Sequence, residues 1–332
     1  MLIAFTGIAF AIHENKPRGS SDHKLKQIAA VDLPGPAGKR FDYLTIDYKD
    51  HYLLSAHLGA GLLYVINLKN NTLVKAISGV AGVEGVEYVP QLDKVYTSDW
   101  FDHSVGVIDL QQMKIIKKIT LENKPDGSAY ASQYRKLYVS DERAKKLFVI
   151  DVYLDSVVKT ISFESETGMP RYDSVAQKVY VNLQDENTFA VIDPSTDSVI
   201  GRYPVGRACI GNHGMALDVQ HRLAFLCCEE SNMLTPLSLV TYKPVANIKL
   251  PSGGDVVKYD PGLKRIYVAC YSGYISIIHE DDSLHFTKLE DFKVQHKVHS
   301  LAVDVITHRI YAPEQQENGK AVSRMIIYDA VK

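Results

Sequence analysis

One phrase recurs through the chain at intervals of 42 to 44 residues, and it limits the fold more than any other feature. Its clearest copy is Arg135 to Val152, RKLYVSDERAKKLFVIDV. KLYVS alternates apolar and polar residues, LFVID is β-branched and aromatic, and the charged DERAKK between them resists burial. The phrase therefore reads as two strands joined by a turn. Anchored on the Tyr of KLYVSD, its copies fall at Leu53, Tyr96, Tyr138, Tyr180, Ala224, Tyr267 and Tyr311. A repeat of about 40–45 residues with about four strands each is the pattern of propeller blades. The seven anchors predict an all-β chain: a single seven-bladed β-propeller of four-stranded blades over residues 25–332. Asn67, Asp109, Asp151, Asp193 and Asp329 close most copies of the second strand, where a short polar side chain satisfies the backbone of a tight turn.

The last blade has three recognisable strands before Lys332, and Leu25 to Leu33, LKQIAAVDL, is strand-like. The N-terminal strand is therefore expected to complete the last blade and close the ring, which also covers two sheet edges. Upstream, MLIAFTGIAFA (1–11) reads as a signal-peptide remnant and 12–24 as a polar linker, which predicts a periplasmic or secreted protein. No stretch reaches 18 apolar residues, so no transmembrane segment is expected. A net charge of −2 without a run of Lys and Arg argues against nucleic acid as a partner.

The phrases KLYVSD, VIDPSTDSVI and RIYVAC resemble the YVTN-repeat, or YncE-like, propellers. The likeness covers residues 25–332 and is closest in GNHGMALDVQHRLAF and GDVVKYDPGLKRIYVA. It implies the seven-bladed fold and export from a bacterial cell. It leaves activity open, because such repeats occur in proteins of unlike function. Blade five departs from the pattern, with Ala224, Cys227, Cys228 and Pro236 where other blades carry Tyr, Ser or Asp, and Val.

No G-x-S-x-G, H-E-x-x-H, P-loop or EF-hand signature is present. The four cysteines (Cys209, Cys227, Cys228, Cys270) form no C-x-x-C and read as buried free thiols. Cys227 and Cys270 fall in one column of neighbouring blades, too far apart for the Cα separation of about 7 Å that a disulfide tolerates. A vicinal Cys227–Cys228 redox pair is the alternative.

The informative column lies twelve residues before each anchor: Phe41, Glu84, Asp126, Gly168, Asn212, Asp255 and His299. These positions begin the inner strands and are expected to face the axis at one mouth. Asp42, Arg171 and His213 adjoin them, and His57, Asp99, Asp141, Glu229 and Glu314 end nearby second strands. Two readings stand: polar side chains lining a wet channel, or a ligand or metal site. The oxygens of Glu84, Asp126, Asn212 and Asp255 suit a divalent cation, Ca²⁺ or Mg²⁺, and crowded carboxylates call for one. His213, His299 and Arg171 are the candidate catalytic groups. Asp42, Asp141 and Trp100, in the loop SDWFDHS, join the candidate ligand-binding set, though Trp100 also suits packing between blades. The leading expectation is an exported, non-catalytic scaffold that binds a small molecule or protein at the mouth. The rival is a metal-assisted hydrolase or lactonase, whose cation polarises a carbonyl while His213 or His299 handles the proton.

Overall fold

A strand pair that is apolar on both faces must be covered on both faces. The chain achieves this by placing every sheet between two others. In the computed structural model, which describes residues 23–141 and 143–331, seven four-stranded antiparallel sheets form a ring, a β-propeller. The inner strands are Leu44–Asp47, Val83–Val89, Pro125–Ala131, Thr167–Asp173, Asn212–Asp218, Gly254–Asp260 and Ala302–Asp304. Six blades run outward in chain order. The seventh runs Ala302–Asp304, Arg309–Glu317, Lys320–Ala330 and then Leu25–Asp32. The N-terminal strand thus closes the ring, with Leu25 opposite Ala330 and Asp32 opposite Arg324.

The expected signal remnant lies outside the described residues, as does most of the linker. Its last two residues are tied down: Lys24 N–H donates to Glu290 at 2.7 Å and His23 Nδ1 lies 2.5 Å from the same carboxylate. Among the described residues no helix is long and apolar enough to cross a membrane.

In blades two and three the Lys-x-Tyr of the phrase is a latch to the next blade. Tyr96 is buried, and its hydroxyl donates to the Val152 carbonyl at 2.9 Å and to Asp155 in the next blade. Lys94, two residues earlier on the same strand face, pairs with the same Asp155 at 2.7 Å. Tyr138 and Lys136 repeat the arrangement on Asp197, at 2.5 and 2.7 Å. Asp155 and Asp197 occupy left-handed turn positions (φ 48° and 52°), a conformation that Asp tolerates better than most residues. A buried phenol needs a partner for its hydroxyl, so the motif and the turn in the next blade are specified together.

The sheet register corrects two of the sequence anchors. Glu87 pairs with Tyr96 and Lys258 with Tyr267; the equivalent pairs are Thr45 with Leu54 and Ala216 with Phe225. The anchors of blades one and five are therefore Leu54 and Phe225, each one residue later than Leu53 and Ala224. Blade five is irregular elsewhere too. Its outer strand shrinks to Ile248–Lys249, and Pro236 sits in its third strand.

The cysteine reading is also corrected. Cys227 and Cys270 are free and buried, but Cys209 and Cys228 form a disulfide with Cα atoms 5.1 Å apart. Cys209 lies in the loop before the blade-five inner strand, and Asn212, three residues on, pairs with Cys228. The strand pairing therefore delivers the two thiols to each other. The bridge spans 19 residues, for which chain-entropy arguments give about 3 kcal/mol. Reduction is expected to lower the melting temperature by roughly 5 °C in a chain of this length. Calorimetry with and without a reductant checks this; no shift would mean that the bridge contributes nothing to stability.

Candidate functional site

The upper mouth is built by a bulge repeated from blade to blade. In blades two to six the inner strand leaves the ladder for two residues opposite one of its neighbour, as between Val83 and Val86 or between Asn212 and Met215. Bulges re-aim side chains. The first bulged residue of each blade is Glu84, Asp126, Gly168, His213 and Asp255. Asp42 and His299 hold the same place in blades one and seven, twelve residues before Leu54 and Tyr311. The corrected register therefore brings Asp42 and His213 into the ring of seven and removes Phe41 and Asn212.

Four carboxylates and two imidazoles line this ring. Asp42, Glu84, Asp126 and His299 are almost fully buried. His213 Nε2 lies 3.5 Å from Asp255 Oδ1, and His299 Nε2 lies 3.7 Å from Asp42 Oδ2 and 4.0 Å from Asp255 Oδ2. Part of the positive charge that such crowding demands is supplied by the chain itself. Arg40 pairs with Asp42 Oδ2 at 2.9 Å. Asp42 foremost, then Asp255, Glu84 and Asp126, hold its guanidinium charged against the cost of burial. Burial would raise the Asp42 pKa, but Arg40 and His299 outweigh it and leave it below the ordinary aspartate value. Burial likewise opposes a charged His213, but Asp255, Asp126, Glu229 and Asp42 prevail and raise its pKa. Glu229 is raised by burial and then by Asp255.

Above the ring opens a cavity of about 440 Å³, walled by Arg40, Glu166, Gln184, His213, Glu229, Asp255, Tyr271 and His299. Its floor is Tyr43. That ring is buried, packs with Met169, Met215 and Val256 from three other blades, and meets His213 Nε2 through its hydroxyl at 3.0 Å. No three His, Cys, Asp or Glu donor atoms at this mouth come within 4.8 Å of one another among the described residues.

Arg171 belongs to the other end of the channel. Three residues beyond the bulge, a second ring carries Glu87, Arg171 and Lys258, which line a lower cavity of about 310 Å³. Arg171 donates to the carbonyls of Met215 (2.8 Å) and Pro170 (3.0 Å). Burial and then Arg171 push Lys258 down to about 7, while burial pushes Glu87 up to about 7. The channel is thus mainly acidic above Tyr43, and below it carries Glu87 with Arg171 and Lys258.

Three further candidates sit elsewhere. Asn212 is a strut between blades: its amide donates to Asn182 Oδ1 (3.0 Å) and the Thr188 carbonyl (2.8 Å). Asp141 caps its own turn, accepting from Arg143 N–H (3.0 Å) and Ala144 N–H (2.7 Å). Trp100 is half-buried beneath Lys124, whose Nζ stands 3.2 Å from the ring centroid, and does not line the cavity. Of the residues ending second strands, Glu229 reaches the cavity. His57 is buried against Phe41, with ring centroids 3.9 Å apart. Arg40, Tyr43, Glu166, Gln184 and Tyr271 were not singled out from the sequence. Arg40 carried one signal, its place two residues before a ring carboxylate.

Asp99 is fully buried, and burial pushes its pKa up to about 7. The folded carboxyl therefore prefers its proton. Its contribution to stability is complete below about pH 4 and is lost as the pH rises through 7. Asp99→Asn is expected to match the parent at pH 4 and exceed it at pH 8 by up to about 4 kcal/mol. Urea unfolding at the two pH values measures the difference, and an equal effect at both would refute the assignment.

No protein-family model matches the chain, and no curated protein matches it.

Proposed function

We propose that this propeller is a non-catalytic binding scaffold whose upper mouth takes a small polar ligand bearing a basic group, such as an amine or guanidine. The observation that carries the reading is charge within a concave site. The carboxylates of Asp255, Glu229 and Glu166 wall the cavity, with Asp42, Glu84 and Asp126 behind them, against one arginine and two histidines. Asp255 Oδ1 accepts no hydrogen bond, although His213 stands 3.5 Å away. A cationic ligand relieves that imbalance, and Gln184 and Tyr271 add polar contacts. A metal-assisted hydrolase at the same mouth has His213 and His299 for proton transfer, but lacks clustered donors to hold the ion.

Export belongs to the same proposal. The Cys209–Cys228 bridge supports it, because structural disulfides persist in oxidising compartments. So does the likeness of KLYVSD and RIYVAC to the YVTN-repeat propellers.

Thermal-shift screening of amines and guanidines, followed by titration calorimetry, tests the reading. A hit is expected to lose affinity at least roughly tenfold in Asp255→Asn and in Glu229→Gln, the loss of one charged contact. Absence of any cationic hit, or hits indifferent to both substitutions, would move the search to protein partners.

A further inference from the structure

On the lower face, where blades five and six meet, a buried carboxylate occupies a position that other blades fill with aliphatic side chains. In every blade but the fourth, where Pro194 has no N–H, the residue after the third strand's closing position donates its N–H to the carbonyl of the left-handed turn residue in its own blade. Leu68, Leu110, Val152 and Leu239 do so to His51, Asp93, Arg135 and Arg222. All four are buried apolar residues. In blade six the same bond runs from Glu280 N–H to the Lys264 carbonyl at 2.8 Å. Glu280 is fully buried, and its carboxylate oxygens accept no well-aligned hydrogen bond although the Tyr259 hydroxyl and His221 Nδ1 both lie close.

Glu280 faces a second carboxylate. Asp218 ends the blade-five inner strand, and its Oδ1 caps the following turn through the N–H groups of Gln220 (2.9 Å) and His221 (3.2 Å). Its Oδ2 is left pointing at the junction. There it receives the Tyr259 hydroxyl at 3.1 Å and lies 2.5 Å from His221 Nδ1. The same Nδ1 lies 3.0 Å from Glu280 Oε1. One phenol proton and one imidazole nitrogen cannot satisfy two facing carboxylates. Comparable junctions avoid the conflict with a cation from the next blade: Arg222 pairs with Asp173, and His308 pairs with Asp260 at 2.8 Å.

We propose that Asp218, His221 and Glu280 form a site for one divalent transition-metal ion of the zinc class. Their donor atoms all lie within 4.8 Å of one another. Bonds of about 2.0–2.2 Å to one imidazole nitrogen and two carboxylate oxygens are ordinary for zinc, whereas calcium prefers six or more oxygens. His221 is exposed and Glu280 buried, so an ion from solvent meets the imidazole first and the inner carboxylate last.

Titration calorimetry on the full chain after chelation, with Zn²⁺ alone and with Ca²⁺ alone, is the test. The expected result is one Zn²⁺ per chain, a higher melting temperature with Zn²⁺, and much weaker Ca²⁺ binding. His221→Ala, on the surface, is expected to weaken Zn²⁺ roughly a hundredfold. Glu280→Leu restores the side chain of blades one, two and five, so it is expected to abolish binding while raising the melting temperature of the metal-free protein. Failure of the full chain to bind Zn²⁺ would overturn the proposal. So would a Zn²⁺ affinity unchanged in His221→Ala, which stays informative whatever Glu280→Leu does to folding.

Discussion

A chain lacking residues 1–34 will melt roughly 10 °C or more below the parent and will tend to associate. The strand Leu25–Asp32 is more than an ornament on the last blade. Leu25 packs into the cluster of blades six and seven, and Leu33, just beyond the strand, packs into the cluster of blades seven and one. Burying two such side chains contributes about 3–6 kcal/mol. At this chain length that corresponds to roughly 5–10 °C before any ladder or ion pair is counted. Leu33 N–H also donates to the Ser323 carbonyl at 2.8 Å, and Arg324 pairs with Asp32 at 2.7 Å. Removing the strand bares one side of Lys320–Ala330, an 11-residue strand and an open invitation to pairing between molecules. Scanning calorimetry and size-exclusion chromatography read the two effects. A melt that does not move would show that the ring holds without this strand.

Alanine at Gly85 or Gly214 will cost more than about 4 kcal/mol each, whereas alanine at Gly127 will be tolerated. All three glycines follow a bulged ring residue, so the backbone context is shared. What differs is the neighbour. A Cβ on Gly85 would lie 2.2 Å from the Asp126 carbonyl oxygen, and one on Gly214 would lie 2.1 Å from that of Asp255. Those oxygens belong to the next blade's bulge and cannot retreat without widening the ring. A Cβ on Gly127 would meet Met169 Sδ at 2.8 Å, the end of a flexible side chain. Urea midpoints for the three variants give the comparison. Equal losses would mean that blade spacing adapts, and the upper mouth would then have to be regarded as deformable.

The fold was legible because the second-strand phrase recurs in every repeat. Its Lys-x-Tyr keeps a fixed spacing to an Asp in the next blade for Tyr96 with Asp155 and Tyr138 with Asp197, and Tyr180 continues the count with Asp173 and Arg222 as its partners instead. The site was legible only where that anchor survives. Blade one has Leu53 and Leu54 side by side, and blade five has Ala224 and Phe225. Either member of each pair suits a buried strand, and a slip of one residue exchanges the axial column for its neighbour. That slip promoted Phe41 and Asn212 over Asp42 and His213. Arg171 failed for a different reason: it lies three residues along an inner strand, far enough to pass the Tyr43 floor. Arg40 and Cys209 belong to irregular segments without periodicity, although Cys228 ends a regular strand. Their roles depend on where a loop lands, which no repeat encodes.

The meeting of the two ends in blade seven has a further consequence. Val331 N–H donates to the Lys24 carbonyl at 2.8 Å, so the described chain is, in its connectivity, nearly a circle. A few residues of linker would join these ends, and the backbone could then be reopened between any two blades. Reopened at Gly79, between blades one and two, every sheet would be made of contiguous sequence. The order of the blades around the axis, and hence the ring from Asp42 to His299, would be the same in the permuted chain.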